Sequence, residues 1–256
     1  MIGTPRRETC RRLNYGSHAP KSVVKLRRPG RVRLTVDDMQ PDVNHIRTGG
    51  TRKRELKKLY ELAKSLPPDA VIVEIGSAHG RATITMAQGL VDGNGGTVYA
   101  IDPCVHPWKG TATTDSNRNH LADNIAASGL TNIRHIDDYS YNVARWFTYR
   151  IDMLFIDGDH SYEGAAQDFD LFVPLVRVGG LVAMHDVGEG KDLRRVVNDR
   201  VYGNPEFSNL QNKHSLLIFT KGPGKRREKI TRLKLDLFYA ASVPYSVWYN
   251  WRRKTA

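Results

Sequence analysis

A chain of 256 residues with a 40% hydrophobic fraction suits one sizeable α/β domain with extensions, and it is too apolar for a disordered protein. Its two cysteines, Cys10 and Cys104, cannot build a disulfide framework, no apolar run reaches membrane-spanning length, and no apolar h-region follows the basic N-terminus; a cytoplasmic location with reduced thiols is expected. The net charge of +12 is concentrated at the ends: residues 1–33 hold ten Lys/Arg against one acid, residues 221–256 hold ten against two, and the stretch between holds 19 basic and 24 acidic residues.

Residues 1–33 carry RR, RR and LRRPGR clusters among Pro, Gly and Ser, with little apolar periodicity, which predicts a mobile basic arm. The arm is either a solvated tail or a contact for a polyanion or an anionic membrane surface, and it has no RRM or KH signature. After a transitional stretch ending at Gly49-Gly50, a helix is predicted over 52–65. Leu56, Leu59, Leu62 and Ala63 share one face, the opposite charged face is solvated, and Pro67-Pro68 ends the helix. The first strand lies in VIVEIGSAHG (71–80), a β-branched run closed by a glycine turn and followed by the amphipathic ATITMAQGL. Gly76 and Gly80 let a ligand approach the backbone, the next helix offers its N–H groups, and Glu74 stands where open α/β sheets bind ligands. The E-x-G-x-x-x-G spacing is not the G-x-G-x-x-G of a dinucleotide site.

This stretch resembles the first motif of the class I S-adenosylmethionine-dependent methyltransferases. The resemblance implies a Rossmann-like, doubly wound α/β fold with a mostly parallel seven-stranded sheet and a final antiparallel strand. It also implies S-adenosyl-L-methionine as cofactor, held by Glu74, Gly76, Ser77 and Gly80. A second strand over 97–101 ends in Asp102, placed to accept hydrogen bonds from a ribose diol, a role that nucleotide-binding folds and methyltransferases share. The irregular CVHPWKGTATT (104–114) is expected to be either a lid over the ligand mouth or a plain connection. A helix over 115–128 stops at Gly129. A third strand over 133–136 then leads to DDYS, where related methyltransferases have a Gly-Asp-Ser-like turn beside the adenine. Ser140 matches that turn in register, while Asp138 and Tyr139 depart from it.

A fourth strand over 151–156 ends in DGDHSYEG, a helix follows over 165–176, and Gly179-Gly180 is expected to turn the chain into a fifth strand over 181–184 ending in His185-Asp186. Two neighbouring strand ends thus present Asp157, Asp159 and His160 on one side, and His185 and Asp186 on the other. The block IDMLFIDGDHSYEGAAQDFDLFVPLVRVGGLVAMHD resembles the corresponding part of a bacterial group of class I methyltransferases. That group includes sugar and macrolide-sugar O-methyltransferases and cephalosporin-hydroxylase-like proteins. The likeness covers about 69–220 and is most specific in D-G-D-H-S-Y-E-G.

The resemblance implies methylation of a hydroxyl on a small-molecule or glycan acceptor. His160 falls on the histidine assigned as general base in sugar-methylating relatives. Asp157 and Asp186 fall on positions that hold Mg²⁺ in metal-dependent relatives, and His185 falls where some have a carboxylate, making it a third metal position. Asp157 would also border the donor and support the base. These residue types suit the chemistry, because in-line methyl transfer chiefly needs alignment of donor carbon and acceptor oxygen. A sugar hydroxyl further needs a base titrating near neutrality or a metal that acidifies it. Without a metal, Asp157 and Asp186 would orient His160. Ser161 is the expected N-cap of the next helix, and Asp159 reads as an ordinary turn acid.

A helix over 192–200 and strands over 207–211 and 214–220, turning at Asn212-Lys213, complete the domain. From residue 221 a basic linker leads into LKLDLFYAASVPYSVWYNW. Its aromatics, flanked by Lys and Arg, suit either packing on the domain or a second copy (a homo-oligomer), or an interfacial anchor peripheral to a membrane; Pro244 interrupts any single anchor helix. The expected organisation is a flexible basic extension over 1–51, the methyltransferase domain over 52–220 and a basic, aromatic extension over 221–256. Two other readings compete. A nicotinamide-dependent oxidoreductase shares the strand–Gly–helix unit and Asp102 but leaves D-G-D-H unexplained. A non-enzymatic polyanion- or membrane-surface module would use the Rossmann-like core as scaffold, and an RNA-methylating variant lies between the two.

Overall fold

The computed structural model describes residues 43, 46, 51–104, 114–188 and 190–222. The expectations attached to the basic arm, to residues 105–113 and to the segment after 222 lie outside the described residues. Among the described residues no helix is long and apolar enough to cross a membrane.

The chain alternates helix and strand: α1 (Lys53–Lys64), β1 (Ala70–Ile75), α2 (Arg81–Asp92), β2 (Gly96–Ile101), α3 (Thr114–Ser128), β3 (Ile133–Ile136), α4 (Ser140–Val143), β4 (Ile151–Ile156), α5 (Tyr162–Phe172), β5 (Val176–Met184), α6 (Lys191–Arg200), β6 (Phe207–Lys213) and β7 (Leu216–Lys221). The seven strands form one sheet in the order β3-β2-β1-β4-β5-β7-β6. β1 to β5 pair in parallel, and β7 runs antiparallel to both β5 and β6. This is the doubly wound, mostly parallel α/β sheet with an antiparallel final strand.

Parallel strands covered on both faces need apolar residues on both, which is why β1, β4 and β5 read as nearly unbroken hydrophobic runs. Period-2 alternation then divides them between two cores. Val73, Ile75, Leu154, Ile156, Val182 and Met184 pack with Phe169 and Phe172 of α5 and Val196 and Val197 of α6. Ile72, Met153, Phe155 and Ala183 pack with Leu56 and Leu59 of α1 and Ile84 and Met86 of α2, and Val43 and Ile46 join that second core. Strand order reverses between β1 and β4, so the turns after β1, β2, β4 and β5 line the carboxyl edge on either side of this switch point.

Local geometry departs from the sequence expectations in two places. Gly179 and Gly180 do not turn the chain into a strand; they lie inside β5, whose pairing with β4 skips from Ile151–Val176 to Met153–Leu181. Gly179 holds φ 84°, and a Cβ on Gly180 would come within 2.7 Å of Val176 Cγ1, so the pair makes a bulge that only glycine fits. The β6–β7 turn falls at His214-Ser215 rather than Asn212-Lys213. The Ser215 backbone N–H and hydroxyl both bond Glu55 on α1, and this tertiary anchor fixes the turn's position.

Candidate active site

The first half of the site is built from backbone. After β1 the chain turns sharply at Gly76 (φ 85°), where a Cβ would lie 2.3 Å from the carbonyl oxygen of Asp157. The residue is glycine because the Asp157-Gly158 backbone leaving β4 passes directly behind it. Asp102, at the end of β2, holds the turn closed: Oδ2 accepts the N–H groups of Ser77 (2.8 Å) and Ala78 (2.7 Å), and Oδ1 accepts that of Cys104 (2.6 Å). These bonds keep Ala78 in the left-handed region (φ 47°), which a non-glycine residue seldom adopts unaided. A carboxylate offers about four acceptor sites, so Asp102 keeps capacity for a ligand hydroxyl after binding the loop. Gly80 precedes the first turn of α2, and Ile84 N–H bonds its carbonyl oxygen.

Glu74 and Ser77 are buried within this loop. Thr83 donates its hydroxyl to Glu74 Oε2, while Glu74 Oε1 and Ser77 Oγ have no hydrogen-bond partner among the described residues. Buried polar atoms without partners are the groups that a bound ligand or water satisfies, so the loop has donors and acceptors to spare for a polar cofactor. Burial pushes the Glu74 carboxyl up to about 8, against the smaller opposing effect of the Thr83 bond, so it holds its proton at neutral pH. Ser140 starts α4 and donates its hydroxyl to the buried Asp168 of α5, whose carboxyl burial raises to about 6. The hydroxyl expected beside the adenine is thus committed to α5.

The second half is built from side chains. Asp157 and His160 follow β4, and His185 and Asp186 follow β5. His160 Nε2 lies 3.7 Å from Asp157 Oδ1 and 3.9 Å from Asp186 Oδ2. Asp157, His160 and Asp186 each offer a ligand atom within 4.8 Å of the others, close enough to hold one cation. Asp186 adopts φ 52°, and such backbone strain is often found at functional sites. Ser161 Oγ accepts the Gly164 N–H and caps α5, while Asp159 accepts the Ser161 N–H within the turn.

His185, expected among the metal ligands, has both ring nitrogens on carboxylates instead. Nδ1 lies 3.0 Å from Asp157 Oδ1 and 3.3 Å from Asp186 Oδ1, and Nε2 lies 3.2 Å from Glu55 Oε2. The ring is 2% exposed. Burial alone would lower its pKa, but Asp157, Asp186 and Glu55 together hold it well above the ordinary histidine range. With a carboxylate facing each ring nitrogen, both nitrogens are placed to donate rather than to offer a lone pair to a metal. Burial pushes Asp157 up, and the His185 charge with bonds from His160 and His185 outweighs this, leaving its carboxyl below the usual value. Asp157 raises the His160 ring above the ordinary histidine range, with burial opposing and Asp186 adding to the rise.

Glu55 and Ser215 were not legible as site residues. Glu55 is fully buried at the start of α1: Oε1 accepts the Ser215 N–H (2.9 Å) and hydroxyl (2.8 Å), and Oε2 accepts the Arg52 N–H (2.8 Å) and faces His185. Burial raises its carboxyl, yet His185 and these bonds bring it down to about 2. The available signal was an acid adjoining the apolar stripe rather than opposite it.

A family described as "Methyltransferase domain" matches residues 73–187, from within β1 to just past β5. Residues 73–187 are thus similar to a methyltransferase domain. An uncharacterized protein of Acanthamoeba polyphaga mimivirus is 34% identical over 126 residues, covering 46% of this chain and 52% of the relative, so the chain spans about half the length of that curated protein. The solved structure of the O-methyltransferase NovP matches with a TM-score of 0.53 at 17% identity, over 68% of this chain and 83% of that one. The O-methyltransferase TomG from Streptomyces achromogenes, involved in tomaymycin synthesis and solved with S-adenosylmethionine, matches with a TM-score of 0.51 at 18% identity, over 72% and 83%. At these identities the two structures speak for the fold. Within the matched residues, the loop after β1 and Asp102 line one side of the carboxyl edge, and the cluster after β4 and β5 lines the other.

Proposed function

We propose that this chain transfers a methyl group from S-adenosylmethionine to a hydroxyl oxygen of a small molecule or glycan, with His160 as general base. The observation that carries the reading is the placement of the His160 ring between Asp157 and Asp186, one strand from a donor-type loop whose Gly76 touches the Asp157 backbone. In this mechanism the loop from Glu74 to Gly80, with Asp102, would hold the donor, which supplies the electrophilic methyl group. Neutral His160 accepts the acceptor hydroxyl's proton as the oxygen attacks, and Asp157 and Asp186 stabilise the imidazolium that results. Methyl passes to oxygen, the sulfonium becomes a neutral thioether, and the ring returns its proton to solvent.

The geometry also supports a metal-assisted form. Asp157, His160 and Asp186 would hold Mg²⁺ or a similar divalent ion, which when bound would lower the pKa of the acceptor hydroxyl. Three carboxylates, Asp157, Asp186 and Glu55, surround the His185 ring, so the cluster has more acidic than basic side chains to meet a cation. With an imidazole in the donor set, a borderline ion such as Mn²⁺ would suit it at least as well as Mg²⁺.

Calorimetric titration with S-adenosylmethionine and S-adenosylhomocysteine tests the donor side. Micromolar binding is expected, weakened by roughly 10–100-fold in Asp102→Ala through loss of charge-assisted hydrogen bonds. Absence of binding with and without Mg²⁺ would overturn the proposal.

A further inference from the structure

Glu55 has no direct part in that chemistry, yet its carboxylate is fully buried beneath the catalytic end of the sheet. Four donors from three places in the chain fix both of its oxygens. The Ser215 N–H and hydroxyl come from the β6–β7 turn, the Arg52 N–H from the entry to α1, and the His185 Nε2–H from the end of β5. A carboxylate bound on both oxygens cannot rotate, so the imidazole facing it has one orientation. That orientation aims Nδ1 at Asp157 Oδ1 and Asp186 Oδ1 together, and it leaves Asp186 Oδ2 on the side of His160. A buried ion pair is seldom more stabilising than an apolar pair of the same volume. What the pair adds here is geometry.

We propose that Glu55 is a positioning residue of the active centre: from α1 it clamps His185, whose other nitrogen holds Asp157 and Asp186 in the orientation that faces His160. The inference rests on the methyltransferase reading for its functional meaning, but its structural content stands apart from it. Glu55 thereby ties the segment entering α1, and the β6–β7 turn, to the same two carboxylates that define the base. Without the Nε2 anchor, the His185 ring is free to turn about Cβ–Cγ, and Asp157 and Asp186 lose their shared donor.

The test uses the full chain with Glu55→Gln, which is isosteric and keeps an acceptor for Ser215, and Ser215→Ala, which removes one donor to Glu55 together with the hydroxyl 3.4 Å from His185 Nε2. Ring ¹⁵N spectra of His185 and His160 report the clamp, crystal structures report the carboxylates, and calorimetry with S-adenosylhomocysteine reports the donor side. In the wild type, both His185 nitrogens are expected to be protonated and slow to exchange. Glu55→Gln is expected to lose the slow-exchanging Nε2–H signal, shift the His160 resonances, and turn Asp157 or Asp186 away from His160, with donor affinity unchanged. Ser215→Ala is expected to give a smaller change of the same sense. Folded variants with unaltered His160 resonances and unaltered carboxylates would overturn the inference. Absence of S-adenosylhomocysteine binding by the wild type would remove the methyltransferase reading and leave the ring signatures to decide the clamp, so the two failures are distinct.

Discussion

Glu74 and Glu55 are both fully buried glutamates at the carboxyl side of the sheet, and they carry opposite charge states. Glu74 is pushed up to about 8 and Glu55 is brought down to about 2. Burial acts on both in the same direction, so the difference comes from partners. Glu74 has one hydroxyl donor and one oxygen with none, whereas Glu55 has four donors, one of them the His185 ring. The contrast extends to the two halves of the site. In the loop after β1, a buried Glu74 that burial pushes towards its neutral form lies near the Asp102 carboxylate, which closes a shell of backbone N–H groups. The cluster after β4 and β5 is a network of side-chain carboxylates and histidines, in which the carboxylates outnumber the rings and raise their proton affinity.

The sharpest way to break the comparison is His160→Ala. Loss of a general base is expected to lower kcat by about 10²–10⁴-fold while donor affinity is unchanged. Because Asp157 and Asp186 raise the ring, activity should rise with pH through a value above the ordinary histidine range. Asp186→Asn should move that acid limb to lower pH. A pH–rate profile without such a limb, or near-normal activity in His160→Ala, would mean that the charged half does not do proton transfer.

A smaller effect separates the two glutamates. The folded pKa of Glu74 lies above its unfolded value, so the native state keeps a proton that the unfolded chain gives up, and stability falls as pH rises from about 4.5 to about 8. Glu74→Gln should remove that slope and raise stability at pH 8 by something on the order of 3 kcal/mol, read by urea unfolding. Glu55 works in the opposite sense: its contribution is present above about pH 4.5 and is lost as pH falls towards 2. An unchanged slope in Glu74→Gln would show that a ligand or water inside the loop already compensates the carboxyl.

The smallest effect is expected at Ser140. Its hydroxyl is bound to Asp168, so Ser140→Ala should cost about 1 kcal/mol of stability and leave donor affinity unchanged. A tenfold loss of donor affinity would return this residue to the adenine side.

Much of the loop after β1 was legible because it is local. Glu74, Gly76, Ser77 and Gly80 sit in one strand–turn–helix unit, and Asp102 follows one unit later, so hydrophobic period and turn chemistry bring them together without knowledge of the rest of the fold. The strand ends carrying Asp157, His160, His185 and Asp186 were legible for the same reason. Their roles were not, since those depend on what packs against them. Glu55 lies 130 residues from the histidine it faces and 160 from Ser215. No pattern in α1 marks that meeting, so the carboxylate facing His185 Nε2 could not be read from the sequence.

The sequence by itself determined the alternation of helix and strand, the buried character of the central strands, and which polar residues stand at their carboxyl ends, because those follow from the spacing of apolar residues and from glycine turns. The tertiary structure alone decided the bulge at Gly179-Gly180, the place of the last hairpin turn, the capture of Ser140 by Asp168 and the division of charge between Glu74 and Glu55. Each of these depends on a partner distant in the chain. A buried ionisable group takes its charge from whichever donors the fold brings to it.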